Sequence, residues 1–426
     1  ILGIFLYNMT IPEIHTLFLK STGISTDTRK IKQGNIFFAL KGENFNGNLF
    51  VKQALDAGAT HAILDEPEYV MDSRTIPVKD VLTAMQDLAR YHRNYLGLPI
   101  IALTGSNGKT TTKELINAVL SQSFKTIATQ GNLNNHIGVP LTLLSMNEKT
   151  QMGIVEMGAN HQGEIASLCK IAQPDYGYIT NFGKAHLEGF GGVEGVIKGK
   201  SELYNYLIKN NKTIFINYDD EIQVEKSEGT DIISFSEGKN ATHQITFLKA
   251  DPFVKINTED TQINSQLIGT YNAKNIAVAI CIGKFFKIPV KAIKEAIETC
   301  DIISILIPDQ VMGDVYNVEI DPYLHDGQLL LFSHGYNIHY KVIQPREFIN
   351  VAMAAPSGAG AELRKRYIDG SGIPGLFAVH QDRSGDAEKI VLAYCRAIGL
   401  TKSGVVKSTF KEETETDLFG EQIILT

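Results

Sequence analysis

Within nine residues, Thr104-Gly105-Ser106-Asn107-Gly108-Lys109-Thr110-Thr111-Thr112 gathers two glycines, one lysine and a run of hydroxyls. That set suits phosphate. Glycines let the backbone wrap closely, amide N–H groups and a helix N-terminus attract phosphate oxygens, Lys109 adds a point charge, and Thr110 offers a hydroxyl to Mg²⁺. The apolar run Ile100–Leu103 precedes the loop and a helical pattern, Lys113–Leu120, follows it. Strand, loop and helix therefore stand in the order a triphosphate cradle requires. An ordinary glycine turn with a solvated lysine has no need of that order.

Two further residues offer metal-binding chemistry. Glu156 ends the apolar run Ile154-Val155-Glu156-Met157, and His186 sits in a glycine-flanked loop; they supply a hard oxygen and an imidazole. By itself, His186 reads as a hydrogen-bonded loop histidine. Lys200, on the amphipathic run from Val196 to Ile208, reads by itself as a solvated helix lysine.

The elements that must hold these residues fall into three blocks of the 426-residue chain. From 9 to 98, short strand-like runs such as Asn35–Leu40 and Ala62–Leu64 alternate with helical stretches, which predicts a small α/β domain. Pro99 marks the boundary. From 99 to 300, the runs at Ile100, Ile154, Tyr178 and Thr213 are separated by helices, which predicts a central phosphate-loop domain with a mainly parallel sheet. The last block, 301 to 426, opens with a strand Ile302–Ile307 and continues with Leu329–Phe332 and Gly375–Val379, again α/β.

Composition narrows the field. Hydrophobic residues make up 43% and charged residues 20%, which predicts a globular chain. With 40 Lys and Arg against 47 Asp and Glu, the net charge is -7, so nucleic acid is not an expected partner. Cys169, Cys281, Cys300 and Cys395 form no CxxC pair; packing roles and a cytoplasmic location are expected. No membrane span is expected: the apolar opening Ile1–Tyr7 is too short, and a coding start at Met9 would explain it.

The short glycine spacing of the phosphate loop resembles the Mur ligase family, ATP-dependent enzymes that join amino acids to a peptidoglycan precursor. The run Thr129–Pro140, Glu156–Ala159, Thr180–Leu187, Lys200–Tyr204 and Gly269–Asn275 are similar to that family's signatures. The asparagine-rich run, with Phe38–Gly42 and Asn46-Gly47, resembles the member that adds D-alanyl-D-alanine to UDP-N-acetylmuramoyl-tripeptide. The likeness covers about Met9 to Thr299.

It implies that Gly105, Ser106, Asn107, Gly108, Lys109, Thr110 and Thr111 bind ATP, with Asn272 and Asn275 on the nucleotide side. It implies Mg²⁺ at Thr110, Glu156, His186 and a carbamylated Lys200, with Lys198 as the competitor for that modification. Lys109, Lys200 and His186 would be the catalytic set. Asn132, Asn134 and Asn135 would contact substrate or phosphate, and Ser25 and Arg29 the UDP-sugar, Arg29 through its phosphate-matching fork. Capping or turn roles stay open for each asparagine. A monomeric ligase part is implied.

From about Asp301 the chain resembles ketol-acid reductoisomerase, an NADPH- and Mg²⁺-dependent enzyme of branched-chain amino-acid synthesis, through Ile307–Gln310, Phe332–His339, Val351–Pro356, Gly372–Pro374, Ala378–Asp382 and Thr409–Gln422. The likeness implies His334 beside substrate and Asp417 and Glu421 as metal ligands, four apart on one helix face. Ser357 stands where that family often carries lysine. No GxGxxG turn precedes Asp301, so an incomplete Rossmann-like block is expected, binding NADPH only if it functions. The chain reads as a chimera of two partial enzymes. The join lacks a Gly, Pro or Ser spacer, which fits an assembly artefact better than a natural fusion. A weakened ligase, a reductoisomerase fragment and an inactive nucleotide-binding protein are the three expectations.

Overall fold

The computed structural model describes residues 9–424 except 43–44, 184–186, 239–240, 251–252, 259–260, 299–301, 307, 325 and 359; some side chains within elements, Glu421 among them, are also outside the description. Contacts divide the chain into two units, 1–298 and 299–426.

In the first unit, apolar residues that alternate with polar ones or run continuously form, among the described residues, two main sheets, beside a two-stranded ribbon of Lys41–Gly42 and Phe45–Asn46. Among the described residues, a four-stranded parallel sheet takes the order Ile24–Ser25, Ile36–Phe38, His61–Leu64, Thr75–Pro77. A larger sheet of nine strands follows. Its parallel part places Ile100–Thr104 between Met152–Glu156 and Tyr176–Ile179, and antiparallel pairs from His243 to Ile268 extend the far edge. Strand Ile100–Thr104 is buried at every position, so it reads as continuous apolar sequence, as a strand covered by helices on both faces must.

Helix Val81–Leu96 connects the two sheets. Asp80 caps it by accepting from Thr83 N at 2.7 Å, and Gly97, at φ 62°, ends it. Its buried stripe of Val81, Met85, Leu88 and Ala89 joins one hydrophobic core that includes Ile36 and Phe38 of the small sheet and Ile100, Ala102 and Val155 of the large one. Each Val, Leu, Ile, Met or Phe side chain so buried contributes roughly 1.5–3 kcal/mol. Beside Pro99, Asp175 accepts from Arg93 Nη2 at 2.7 Å, Lys212 Nζ at 2.6 Å and Ile100 N at 3.1 Å, tying this helix to the central strands.

In the second unit, the described strands take the order Ile302–Ile305, Leu329–Phe332, Asn350–Pro356, Gly375–Gln381, Val405–Lys407. Every pair is parallel except the third and fourth. Both units are thus α/β with mostly parallel sheets. Two expected boundaries shift. The strand expected to reach Ile307 ends at Ile305, and the helix expected from Lys113 begins at Lys109, after Gly108. Thr110–Thr112 join its first turn because the loop and its partners hold them there, against their modest helix propensity. Cys169, Cys281 and Cys395 are buried thiols with pKa values raised by desolvation; Cys300 lies outside the described residues.

Candidate active site

The phosphate loop leaves the C-terminal end of strand Ile100–Thr104, where open parallel sheets place their ligands. Gly105 and Gly108 have positive φ, 142° and 79°. A Cβ on Gly105 would come within 2.0 Å of Thr180 Oγ1, and one on Gly108 within 2.9 Å of Asn275 Oδ1, so neither position admits a side chain without displacement. The loop is fastened to the next strand end. Thr180 Oγ1 and Asn181 Nδ2 donate to the Asn107 carbonyl at 2.6 and 2.9 Å, and Ser106 Oγ to that of Gly183 at 2.8 Å. Thr111 is half-buried in the first helical turn.

Lys109 Nζ turns back onto the Gly105 and Ser106 carbonyls at 2.9 and 3.3 Å. Burial lowers its pKa, and the Glu156 carboxylate opposes that shift. Glu156, 1% exposed, accepts from Thr110 Oγ1 at 3.1 Å through one carboxylate oxygen and from Asn134 Nδ2 at 2.8 Å through the other. A hydroxyl and a carboxylate oxygen so close together suit Mg²⁺, which takes few protein oxygens and keeps several waters.

Lys109, Asn132, Asn134, Asn135, Ala159 and Glu164 are among the residues that line a cleft of about 750 Å³. Lys200 reaches the lining at Ala159. It is 2% exposed, donates to the Ala159 carbonyl at 3.2 Å and stacks its Nζ 5.0 Å from the Phe190 ring centroid. Desolvation, then the charge of Lys109, push its pKa down to about 8. A solvated helix lysine would show neither feature. His186 lies outside the described residues. Among the described residues no three His, Cys, Asp or Glu side chains converge as a metal cluster.

Other expected residues have mixed company. Asn275 accepts from Thr112 Oγ1 at 3.1 Å and donates to Asn272 Oδ1 at 2.8 Å, placing the pair against the phosphate loop. A cavity of about 290 Å³ opens beside it, lined by Asn217, Phe235, Phe247, Ala273 and Lys274. Asn135 caps helix Gly138–Leu144, accepting from Ile137 N and Gly138 N. Ser25 closes a turn with Asp27, and Arg29 directs Nε and Nη2 to the Asp27 carboxylate, each at 2.9 Å. The fork of Arg29 is therefore already engaged within its own loop.

In the second unit, His334 Nδ1 pairs with Glu413 Oε1 at 3.0 Å, with Asp417 Oδ2 3.7 Å away. Glu413 also accepts from Gly335 N at 2.8 Å. Glu421 lies in the same helix, Phe410–Ile424.

The sequence assigns no individual role to Lys113, Thr129 or Glu202, although Thr129 and Glu202 stand in runs that resemble family signatures. Glu202 caps helix Glu164–Ala172, accepting from Gly163 N at 2.5 Å and Ala166 N at 2.8 Å. For Lys113 a signal existed: it shares the spacing of the buried Ile116 and Leu120, and so falls on the apolar stripe.

Residues 20–93 match the Mur ligase family catalytic domain and residues 103–283 the Mur ligase middle domain. The UDP-N-acetylmuramoyl-tripeptide–D-alanyl-D-alanine ligase of Haemophilus influenzae is 32% identical over 324 residues, 74% of this chain and 68% of that relative. The chain belongs to the Mur ligase family. The ligase of the same name from Bacillus subtilis is 38% identical over 272 residues, covering 62% of this chain. The chain spans 59% of that relative's length. The crystal structure of MurF from Acinetobacter baumannii superposes with a TM-score of 0.60 at 22% identity over 95% of this chain and 97% of that one, a likeness of fold.

This Mur ligase family member carries a second likeness. Residues 257–404 match the acetohydroxy acid isomeroreductase NADPH-binding domain. Ketol-acid reductoisomerase from Methanocaldococcus jannaschii is 56% identical over 136 residues, 32% of this chain and 41% of that relative. The chain joins segments similar to two enzyme families.

Proposed function

We propose that the chain is an ATP-dependent amide ligase of peptidoglycan precursor synthesis, built to add D-alanyl-D-alanine to UDP-N-acetylmuramoyl-tripeptide and weakened by its exchanged third block. In this reading 9–98 hold the UDP-sugar, Ser25 and Arg29 included, 99–300 hold ATP, and 301–426 are a partial reductoisomerase NADPH domain with the start of its metal-binding helical domain. The cytoplasm and a monomeric ligase part fit the reading; no described helix is long and apolar enough to cross a membrane.

The observation that carries it is the Lys109–Thr110–Glu156–Asn134 arrangement, of which Lys109 and Asn134 line the 750 Å³ cleft. Amide formation needs a carboxylate oxygen to attack the γ-phosphorus of ATP with ADP leaving, then an amine to attack the acyl carbon with phosphate leaving. Mg²⁺ would neutralise the charge that develops between phosphate and carboxylate. Thr110 and Glu156 would hold it, with His186 and a carbamylated Lys200 as ligands of a second ion. Lys109 would exchange its loop carbonyls for phosphate oxygens, and the loop amides would fix the phosphate chain. Asn132, Asn134 and Asn135 would face the substrate side, and Asn272 and Asn275 the nucleotide beside the 290 Å³ cavity.

Titrating Mg·ATP into the wild type and Lys109→Ala tests the reading. Loss of charged hydrogen bonds worth about 1.5–3 kcal/mol weakens binding about 10- to 100-fold; an unchanged Kd refutes it. The 56% identity of the last block favours a second reading, a reductoisomerase fragment, for which NADPH would bind and ATP would not.

A further inference from the structure

Lys113 has no exposed surface, although it carries the most water-seeking of side chains. Its Nζ donates to the Thr129 carbonyl at 2.6 Å and lies 2.8 Å from Glu114 Oε1, a carboxylate that is itself largely exposed. Burying a charge this fully costs several kcal/mol unless it is well paired, and an apolar side chain on the same stripe would pack at no such cost. The position calls for a reason other than packing.

The reason lies at the far end of the hydrogen bond. Thr129 follows strand Thr126–Ala128 and opens the turn that carries Asn134. Its hydroxyl accepts from the Glu156 backbone N–H at 3.0 Å, while Asn134 from the same turn holds Glu156 Oε1. Thr110, three residues before Lys113 on the helix, holds Glu156 Oε2. One helix therefore reaches the same glutamate twice: directly through Thr110, and through Lys113 by way of Thr129.

We propose that Lys113 is a positioning residue, whose grip on Thr129 fixes the separation of the Thr110 hydroxyl and the Glu156 carboxylate at which a divalent cation is shared. The inference rests on the Mg·ATP reading of the site. Groups that orient metal ligands typically matter 10- to 100-fold in metal affinity. A packing role alone would change the melting temperature and leave the metal response where it was.

The test uses the full chain, with two variants. Lys113→Met removes the charge and keeps the length; Thr129→Val keeps the carbonyl and removes only the hydroxyl that meets Glu156. ATP affinity is measured in EDTA and again across a Mg²⁺ titration, beside the wild type and Lys109→Ala. The expected result is a Mg²⁺ midpoint raised about tenfold or more in both variants, with metal-free ATP affinity kept within about twofold, a double variant no worse than the single ones, and Lys109→Ala weakened with and without metal. A midpoint unmoved in either folded variant overturns the proposal, as does an equal loss of metal-free and Mg²⁺-dependent affinity. Should Lys113→Met fail to fold, Thr129→Val decides by the same two measurements. A Lys109→Ala protein that binds ATP like wild type overturns the Mg·ATP reading instead, and is read separately.

Discussion

The Thr110 hydroxyl donates to the buried Glu156 carboxylate across 3.1 Å, joining the first turn of the phosphate-loop helix to the end of the neighbouring parallel strand. Asn134 holds the other oxygen of that carboxylate, so the anion is oriented before any ligand arrives.

Glu156→Gln keeps the shape and removes the charge. The expected outcome is a fall in Mg²⁺-dependent ATP turnover of about 100-fold, close to 2.7 kcal/mol, with a melting temperature at or above wild type because a buried carboxylate no longer needs solvation. Phosphate release and a thermal melt check the two halves together. Turnover preserved in a folded variant would remove Glu156 from the metal site.

Lys200 gives a prediction about carbon dioxide. Only a neutral amine adds CO₂, and its pKa, pushed down from 10.5 to about 8 by burial and by Lys109, makes that form available at lower pH. Bicarbonate is expected to raise ATP turnover, more so at pH 9 than at pH 7 for equal dissolved CO₂. Lys200→Ala should lose the response and Lys198→Ala should keep it; intact-protein mass spectrometry that finds the carbamate on Lys198 would transfer the role.

Acid sensitivity follows from a histidine pair in the core of the first unit. His92 Nε2 lies 3.0 Å from the Met146 carbonyl and must donate to it, so His92 Nδ1 accepts from His15 Nε2, also at 3.0 Å. A proton on His92 Nδ1 would set two donors face to face. Burial lowers both pKa values; the His92 ring lowers that of His15 further, and the Met146 carbonyl partly offsets the fall at His92. The folded state then binds fewer protons than the unfolded one, so stability is complete above the unfolded value of about 6.5 and is lost as pH falls toward the lowered folded values. Melting temperatures from pH 7.5 to 5 should drop more steeply for wild type than for His15→Leu/His92→Leu. Parallel slopes would exclude the pair as the cause.

Much of this site was legible because its signals are local. The phosphate loop shows itself by two glycines in left-handed or extended positive-φ backbone and one lysine between a buried strand and a helix, and Glu156 by closing a buried run. What escaped depends on partners that the pattern of residue types does not name. Helix Lys109–Leu120 starts four residues before its apolar periodicity because Gly108 turns the chain there and Thr112 bonds Asn275. The burial of Lys113 is decided by Thr129, and the occupation of Arg29 by the turn that brings Asp27 beside it. Charged residue types carry no mark of whether a partner awaits them across the fold.

The most direct measurement incubates the full chain with Mg·ATP, UDP-N-acetylmuramoyl-tripeptide and D-alanyl-D-alanine, and follows phosphate release and pentapeptide product separately. Residues 257–404 are similar to the NADPH-binding domain of a reductoisomerase, and amide transfer requires the amine within roughly 3–3.5 Å of the activated carbonyl. The predicted result is phosphate release that depends on the UDP-tripeptide and vanishes in Lys109→Ala, with pentapeptide lagging far behind. No tripeptide-dependent phosphate would contradict the assignment of the site, and pentapeptide formed in step with phosphate would contradict the claim that the exchanged block weakens ligation.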